Sequence, residues 1–318
     1  MLVQILLLIL GFAVLVKGAD WLVDGASELA RKHKISDLAI GLTVVAFGTS
    51  APELVVNVFA AYNGFSDIVF GNIIGSNNFN LFIILGISGL IVPLAVQSST
   101  VWKEIPFSFL AALVLFVVTS ELFYSGNAML NRFEGVFLLV MFAAFLYYVY
   151  KQLGIDTAQE ELRHKNFTTA KIWTFISIGL AGLVIGGKLV VTSATDIAQE
   201  LGISQKIIGL TIVAAGTSLP ELATSVVAAL KKNNDIAVGN IIGSNIFNIF
   251  LILGVSSMFG TVKYSASFDT DLLMLGLGTA FLFTAMFTGE KGKLDRWEAA
   301  VLLSVYLAYT AWMVCKEF

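Results

Sequence analysis

Cysteine, histidine and charged side chains are scarce in this chain. Its 318 residues include one cysteine, Cys315, and two histidines, and only 13% of them are charged. A single cysteine cannot form an internal disulfide bond and has no partner for a metal motif. His33 and His164 lie in stretches rich in basic residues, where we expect them to be solvated. These absences disfavour a disulfide scaffold and a zinc or copper centre.

Long apolar runs take the place of these residues. The chain is 57% hydrophobic and its mean hydropathy is +0.87. A helix needs about 20 apolar residues to cross a bilayer. Runs of that kind predict an all-α integral membrane protein with ten transmembrane helices, near 2–20, 38–60, 67–92, 103–121, 133–151, 170–190, 206–230, 235–259, 270–288 and 297–315. The connections are too short for a soluble enzyme or sensor domain.

Basic residues predict the orientation of these spans. Most lysines and arginines fall in the connections after spans one, three, five, seven and nine. Because cytoplasmic loops carry an excess of lysine and arginine, we expect these connections inside and both termini outside. The expected location is the plasma (inner) membrane, in which the lipid bilayer surrounds a monomer without an obligate protein partner and without nucleic acid.

The chain repeats itself at an offset of 168 residues. GLTVVAFGTSAPELVVNVFAA at 41–61 matches 209–229 at 14 of 21 positions, and GNIIGSNNFNLFIILG at 71–86 matches 239–254 at 13 of 16. Such self-similarity indicates an internal duplication. We predict a first five-helix repeat at 1–151, a short cytoplasmic linker at 152–169 and a second repeat at 170–318.

The number of spans in each repeat predicts their relative direction. Five is odd, so the second repeat enters the membrane from the opposite side and the two repeats are inverted. Inverted repeats are typical of secondary transporters, in which discontinuous helices from both repeats form a site near the midplane. The pattern therefore favours transport by alternating access over an enzyme or a receptor.

Each repeat places an acid beside a helix breaker within an apolar span. Glu53 follows Pro52, and Glu221 follows Pro220. Proline lacks an N–H, so we expect the carbonyls at Gly48 and Gly216 to lose their helical partners. An ionisable group at this depth costs about 2.5–3.5 kcal/mol and usually faces a cavity or a partner. No lysine or arginine lies at matching depth inside the motif helices, so a bound cation is the simplest source of positive charge.

Uncharged oxygen donors surround the two acids in the sequence. Thr49 and Ser50 lie four and three residues before Glu53, and the third span carries polar residues at every fourth position. The second repeat has the same pattern. The third and eighth spans contribute Asn72, Ser76, Asn80, Asn240, Ser244 and Asn248, of which we expect Asn72 and Asn240 mainly to hold helices together. A site made only of oxygens suits Ca²⁺ or Na⁺.

The paired motifs GTSAPE and GTSLPE, each followed by GNIIGSN, resemble those of the cation/calcium exchanger superfamily, and in particular its sodium/calcium exchanger family of the prokaryotic type. The resemblance covers almost the whole chain. It implies two inverted five-helix halves that exchange Na⁺ for Ca²⁺, with ions held by helices two, three, seven and eight. The ions are transported substrates, and no cofactor is implied.

The resemblance also implies a ligand set. Glu53 and Glu221 are similar to the bidentate calcium ligands, which are shared with sodium. Thr49 and Thr217 resemble residues that contribute carbonyl or hydroxyl oxygens, and Asn80 and Asn248 resemble the pair that completes the innermost site. The sodium ligands that flank the centre are expected to be Ser50, Ser218, Ser76, Ser244 and the carbonyls of Ala46 and Ala214.

Two alternatives within transport stay open, besides an enzyme. Some relatives have aspartate at the position of Asn248, and its absence here argues against potassium co-transport. A proton-driven calcium or cation antiporter would use the same acids as proton carriers. A cation channel would conduct without a counter-ion. An intramembrane enzyme lacks support because no Ser/His pair, histidine cluster or paired aspartate motif occurs at depth.

Overall fold

The computed structural model describes residues 1–119, 129–152, 167–202 and 214–317. Within these residues the chain is almost entirely helical. The long helices, in chain order, are α1 (Leu2–His33), α2 (Asp37–Thr49), α3 (Ala51–Tyr62), α4 (Ser66–Ile91), α5 (Thr100–Thr119), α6 (Arg132–Gln152), α7 (Thr169–Glu200), α8 (Leu219–Leu230), α9 (Asn234–Phe259), α10 (Ala266–Ala285) and α11 (Arg296–Glu317). A short helical turn, Ala214–Gly216, precedes α8.

The described helices agree with eight of the ten predicted spans. Seven are long and apolar enough to cross a membrane, and the bent pair α2 and α3 makes an eighth. The two remaining predicted spans are 206–230, which lies partly outside the described residues, and 297–315, which coincides with α11. The predicted linker at 152–169 also lies mostly outside the described residues. The count of ten stays a prediction.

The predicted interruption of the second span is a bend between two helices. α2 ends at Thr49, α3 begins at Ala51, and their axes differ by 50°. Ser50 joins them with a ψ of 4°, which is not helical. Pro52 lies in the first turn of α3, where its missing N–H would have no helical partner in any case. The break therefore falls between Gly48 and Pro52, within two residues of the proline.

Two interior helices form the centre of the fold. In the most apolar 18-residue segment of α9, 94% of the residues are buried, and in that of α4, 72% are buried. Each contains a wider π-helical turn, at Phe79–Ile84 in α4 and at Phe247–Ile252 in α9. Such turns inside α-helices are often found at functional sites. The hydrophobic pattern of the sequence does not distinguish these turns from the ordinary α-helix around them.

The internal repeat is visible in local structure. α3 and α8 occupy equivalent positions at the offset of 168, and so do α4 and α9, residue for residue at both ends. The short strands β1 (Leu94–Ala95) and β3 (Val262–Lys263) are equivalent as well. Each pairs with a strand of the other half: β1 with β4 (Lys293–Leu294), and β3 with β2 (Met129–Leu130). These antiparallel ladders tie the halves together at two places.

An ion-pair cluster attaches α1 to the turn between α8 and α9. Lys231 Nζ lies 2.6 Å from Asp20 Oδ1 and 2.9 Å from Asp24 Oδ1. It also donates to the carbonyl oxygen of Asp20 at 2.8 Å. Both aspartates are thus bound to a lysine that lies at a helix end.

Candidate cation-binding site

The two acids occupy equivalent places at the starts of two helices. Glu53 lies in the first turn of α3 and Glu221 in the first turn of α8, and each is 1% exposed. The first turn of a helix presents backbone N–H groups and a positive dipole end, which stabilise a negative charge. The helix breaks therefore supply a local reason why two carboxylates can be buried in an apolar protein.

Within the residues that the structure describes, no cationic side chain pairs with either carboxylate. They are close enough to repel each other electrostatically. Among the described ion pairs none involves Glu53 or Glu221. The described residues also contain no group of three or more histidine, cysteine, aspartate or glutamate side chains placed so that they could hold a metal ion together. The positive charge that would stabilise the pair has to come from outside the described chain.

Ser50 of the first repeat contacts both Glu221 and Ser244 of the second repeat. Ser50, at the bend between α2 and α3, donates to Glu221 Oε1 at 2.9 Å. Its Oγ also lies 3.0 Å from Oγ of Ser244 on α9. Residues predicted from the two separate motifs thus meet at one carboxylate. The bend at Ser50 makes this contact possible because it ends α2 beside α9.

Asparagine side chains bind the backbone at both acids. Asn57 donates to the carbonyl oxygen of Glu53 at 2.7 Å, and Asn240 donates to that of Glu221 at 3.4 Å. Asn240 Oδ1 also accepts a hydrogen bond from Thr49 at 3.1 Å, and its Nδ2 donates to Ser225 at 3.0 Å. Asn240 was expected to act mainly between helices. It does so, and it also contacts the backbone of the acid.

Asn80 and Asn248 lie in the two π-helical turns, and the side-chain amide of each contacts an asparagine of the other repeat. Asn80 Nδ2 donates to Asn245 Oδ1 at 3.0 Å, and Asn248 Nδ2 donates to Asn77 Oδ1 at 3.0 Å. Their own side-chain oxygens accept nothing from the described residues. Both amides therefore have their nitrogen engaged and their oxygen free.

Five buried oxygens of the predicted site residues lack a hydrogen-bond donor in the described part of the chain. They belong to two carboxylates, two amides and one hydroxyl: Glu53 Oε2, Glu221 Oε2, Asn80 Oδ1, Asn248 Oδ1 and Ser218 Oγ. A buried oxygen without a partner costs about 1–3 kcal/mol, and more if it is charged. All five are acceptors that a hard cation prefers, and Ca²⁺ takes about 6–8 oxygens. The donor set fits a site for Ca²⁺ or Na⁺.

The structure buries most of the predicted site residues. Fully buried are Glu53, Glu221, Thr49, Ser50, Ser218, Ser76, Ser244, Asn80, Asn248, Ala46 and Pro220. Thr217, Pro52, Gly48 and Gly216 are half-buried. The carbonyl of Ala46 accepts from the N–H of Ser50 at 3.0 Å, and Ser76 donates to Asn72 at 3.3 Å. The side chain of Ala214 lies outside what the structure describes.

Four residues at the site were missed from the sequence: Asn57, Asn77, Ser225 and Asn245. Asn77 and Asn245 directly follow the predicted serines, so on an ideal helix they turn away from the stripe of every fourth residue. The signal that could have found them is their recurrence in the doubled motif GNIIGSN. Asn57 and Ser225 occupy equivalent positions four residues after the acids, where a helix returns to the same face.

Comparisons with known proteins show the family of this chain. The family model described as "Sodium/calcium exchanger protein" matches residues 3–151 and 171–315. The chain belongs to the sodium/calcium exchanger family. It is 34% identical to the sodium/calcium exchanger MaX1 of Methanosarcina acetivorans, over 96% of this chain and 97% of that protein. It is 37% identical to the inner membrane protein YrbG of Escherichia coli, over 86% and 87%.

The fold is similar to that of a solved family member. A structure of the sodium-calcium exchanger NCX_Mj superposes with a TM-score of 0.83, at 31% identity, over 98% of this chain and 99% of that chain. The chain is thus an all-helical, multi-pass membrane protein with the exchanger fold, and its relatives are transporters rather than enzymes. The resemblance predicted from the doubled motif is confirmed, and the family's substrates are calcium and sodium.

Proposed function

We propose that this protein is a secondary active antiporter that exchanges Na⁺ for Ca²⁺ by alternating access at one central site. The observation that carries the proposal is a set of five buried oxygens, two of them on the carboxylates of Glu53 and Glu221, that have no hydrogen-bond donor among the described residues. Neither carboxylate forms an ion pair with a described cationic side chain. A bound cation supplies both the missing charge and the missing partners. In most cells Na⁺ runs inward, so calcium extrusion is the proposed direction.

The proposed ligands are the residues predicted from the resemblance. Glu53 and Glu221 hold Ca²⁺, with oxygens from Thr49 and Thr217. Na⁺ ions share these carboxylates and take further oxygens from Ser50, Ser218, Ser76, Ser244, Asn80, Asn248 and the carbonyls of Ala46 and Ala214. The burial of the predicted hydroxyls and amides around the acids supports this assignment.

Charge balance gives the physical basis of exchange. Two carboxylates match one Ca²⁺, and several Na⁺ ions can share the same carboxylates, so the two loads compete. A loaded site has little net charge and can be closed off from water. An empty site keeps two bare carboxylates in an apolar interior, which opposes the switch between sides. Coupling follows because only the loaded protein changes sides readily.

A gradient experiment tests the proposed exchange. Proteoliposomes that contain the purified protein and Na⁺ are diluted into Na⁺-free and K⁺-free buffer at clamped pH, and uptake of labelled Ca²⁺ is measured. We expect uptake that requires the outward Na⁺ gradient and stops when an ionophore dissipates it. Uptake that needs only a proton gradient would instead assign a proton-driven antiporter, and uptake without any gradient of counter-ion would assign a channel.

We propose ten membrane spans arranged as two inverted repeats, 1–151 and 170–318, in a monomer in the plasma (inner) membrane. The strand ladders support this topology. β1 and β4 follow predicted spans three and nine, while β2 and β3 follow predicted spans four and eight. Each ladder thus joins connections that the topology puts on one side of the membrane. With cytoplasmic basic connections, both termini are outside.

The one cysteine allows a direct test of this orientation. Cys315 is exposed near the end of α11. In intact spheroplasts we expect a membrane-impermeant maleimide to label it without permeabilisation. The matched control is Lys232→Cys in a Cys315→Ala background, since Lys232 lies in a predicted cytoplasmic turn; its labelling is expected only after permeabilisation. The reverse pattern would invert the proposed topology.

A further inference from the structure

Two asparagines outside the proposed ligand set bind the amides of Asn80 and Asn248. Asn77 on α4 accepts from Asn248 on α9, and Asn245 on α9 accepts from Asn80 on α4, each at 3.0 Å. The two hydrogen bonds are equivalent at the offset of 168 residues. Each repeat therefore holds an amide that belongs to the other repeat.

The two binding amides are themselves fixed by backbone contacts. Asn77 Nδ2 donates to the carbonyl oxygen of Asn245, and Asn245 Nδ2 donates to the carbonyl oxygen of Asn77, each at 3.4 Å. Both side chains are almost fully buried, at 0% and 3% exposed. Donor and acceptor atoms of each amide are thus in use, so neither amide can rotate by 180° without losing both contacts.

This arrangement decides which atom of Asn80 and Asn248 is left free. Their nitrogens donate to Asn245 and Asn77, and their buried oxygens have no donor among the described residues. A rotated amide would turn N–H groups, which are donors without acceptor capacity, toward the free side. A cation binds the oxygen and is repelled by the N–H groups.

We propose that Asn77 and Asn245 are positioning residues, which hold the side-chain oxygens of Asn248 and Asn80 toward the transported cation. The inference rests on the proposed function, because it assumes that those two oxygens are cation ligands. Asn77 and Asn245 do not touch the ion; they act through the partner amide of the opposite repeat. Partners of this kind typically account for roughly 10–100-fold in metal affinity.

Polar contacts between membrane helices also serve as simple attachment, so the test has to separate the two roles. The dissociation constant of Ca²⁺ is measured by titration calorimetry on the purified full-length protein in Na⁺-free buffer. The variants are Asn245→Ala, Asn80→Ala and their combination, together with Asn245→Ala combined with Asn248→Ala. Coupled residues give non-additive effects, whereas independent residues give effects that multiply.

We expect Asn245→Ala to weaken Ca²⁺ binding by roughly 10-fold or more. In the Asn80→Ala background no amide is left to position, so adding Asn245→Ala should weaken Ca²⁺ binding further by less than about threefold. In the Asn248→Ala background it should keep its full effect. The equivalent pair, Asn77 with Asn248, is expected to behave in the same way.

Asn78→Ala is the matched control for both pairs. Asn78 is a buried neighbour whose side-chain nitrogen donates to the carbonyl oxygen of Asp271 at 2.9 Å. The Ca²⁺ affinity of this variant should equal that of the wild type.

The possible results separate the two proposals. If the losses of Ca²⁺ affinity from Asn245→Ala and Asn80→Ala multiply in the double variant, the positioning role is overturned. The assignment of Asn80 as a cation ligand would still stand. Unchanged affinity in both Asn80→Ala and Asn248→Ala would overturn the ligand assignment and the positioning role together. If Asn245→Ala does not fold, the same cycle is measured at the equivalent pair, with Asn77→Ala, Asn248→Ala and their combination. Losses of Ca²⁺ affinity that multiply there would contradict the inference.

Discussion

Replacing either central acid by glutamine is expected to abolish Na⁺-driven Ca²⁺ uptake. Glu53→Gln and Glu221→Gln each keep the side-chain volume and remove one negative charge. Ca²⁺ would then leave one uncompensated positive charge in the protein interior, which costs about 2.5–3.5 kcal/mol in a membrane segment. That energy corresponds to roughly two orders of magnitude in affinity. Initial rates of labelled Ca²⁺ uptake in the sodium-loaded proteoliposomes measure the loss.

The control for this prediction is a buried glutamate outside the site. Glu298 is fully buried at the start of α11, where its carboxylate accepts from the N–H of Asp295 at 2.8 Å and from the hydroxyl of Thr288. Glutamine can accept from the N–H of Asp295 through its amide oxygen and donate from its amide nitrogen to the hydroxyl oxygen of Thr288. That hydroxyl can still donate to the carbonyl oxygen of Ala285, which it contacts at 3.1 Å, so Glu298→Gln should retain most of the uptake. Equal losses in all three variants would attribute the effect to folding, and full uptake in either Glu53→Gln or Glu221→Gln would remove that acid from the site.

Local chemistry explains why much of the site could be predicted. Pro52 and Gly48 mark an interruption of the second span, and the structure has its bend between them, at Ser50. The duplication then assigns the same features to the second repeat. Burial of the acids follows from their cost in an apolar segment, because such a residue needs a partner or a cavity. These features depend on residues close together in the chain or on the offset between repeats.

The contacts across the repeats could not be predicted in this way. Asn77 was missed because a stripe of every fourth residue selects one helix face and skips the next residue. The wider π-helical turns, which contain Asn80 and Asn248, change the alignment of side chains relative to an ideal helix. Which amide meets which depends on how α4 and α9 pack against each other, and hydrophobic pattern alone does not encode that packing. The same applies to the binding of Lys231 by Asp20 and Asp24.

A second large effect is expected where α1 and α7 approach each other. These two helices of 32 residues pack along each other through glycines. A Cβ added at Gly179 would lie 2.7 Å from the backbone nitrogen of Leu22 and 2.9 Å from the carbonyl oxygen of Gly18. Backbone atoms cannot rotate away as a side chain can, so the helices would have to separate. Gly179→Ala is therefore expected to destabilise the protein by about 1–3 kcal/mol, the usual cost of overpacking.

Thermal unfolding of the purified protein, followed by size-exclusion chromatography after heating, measures this effect. The matched control is Gly276→Ala in α10, where an added Cβ meets no described atom within 4 Å. Alanine is favoured over glycine in a helix by about 1 kcal/mol, so Gly276→Ala should unfold at the same or a higher temperature, while Gly179→Ala unfolds at a lower one. Equal midpoints would mean that α1 and α7 can move apart at little cost. The close glycine contact would then be a feature of one arrangement of these helices rather than a requirement of the fold.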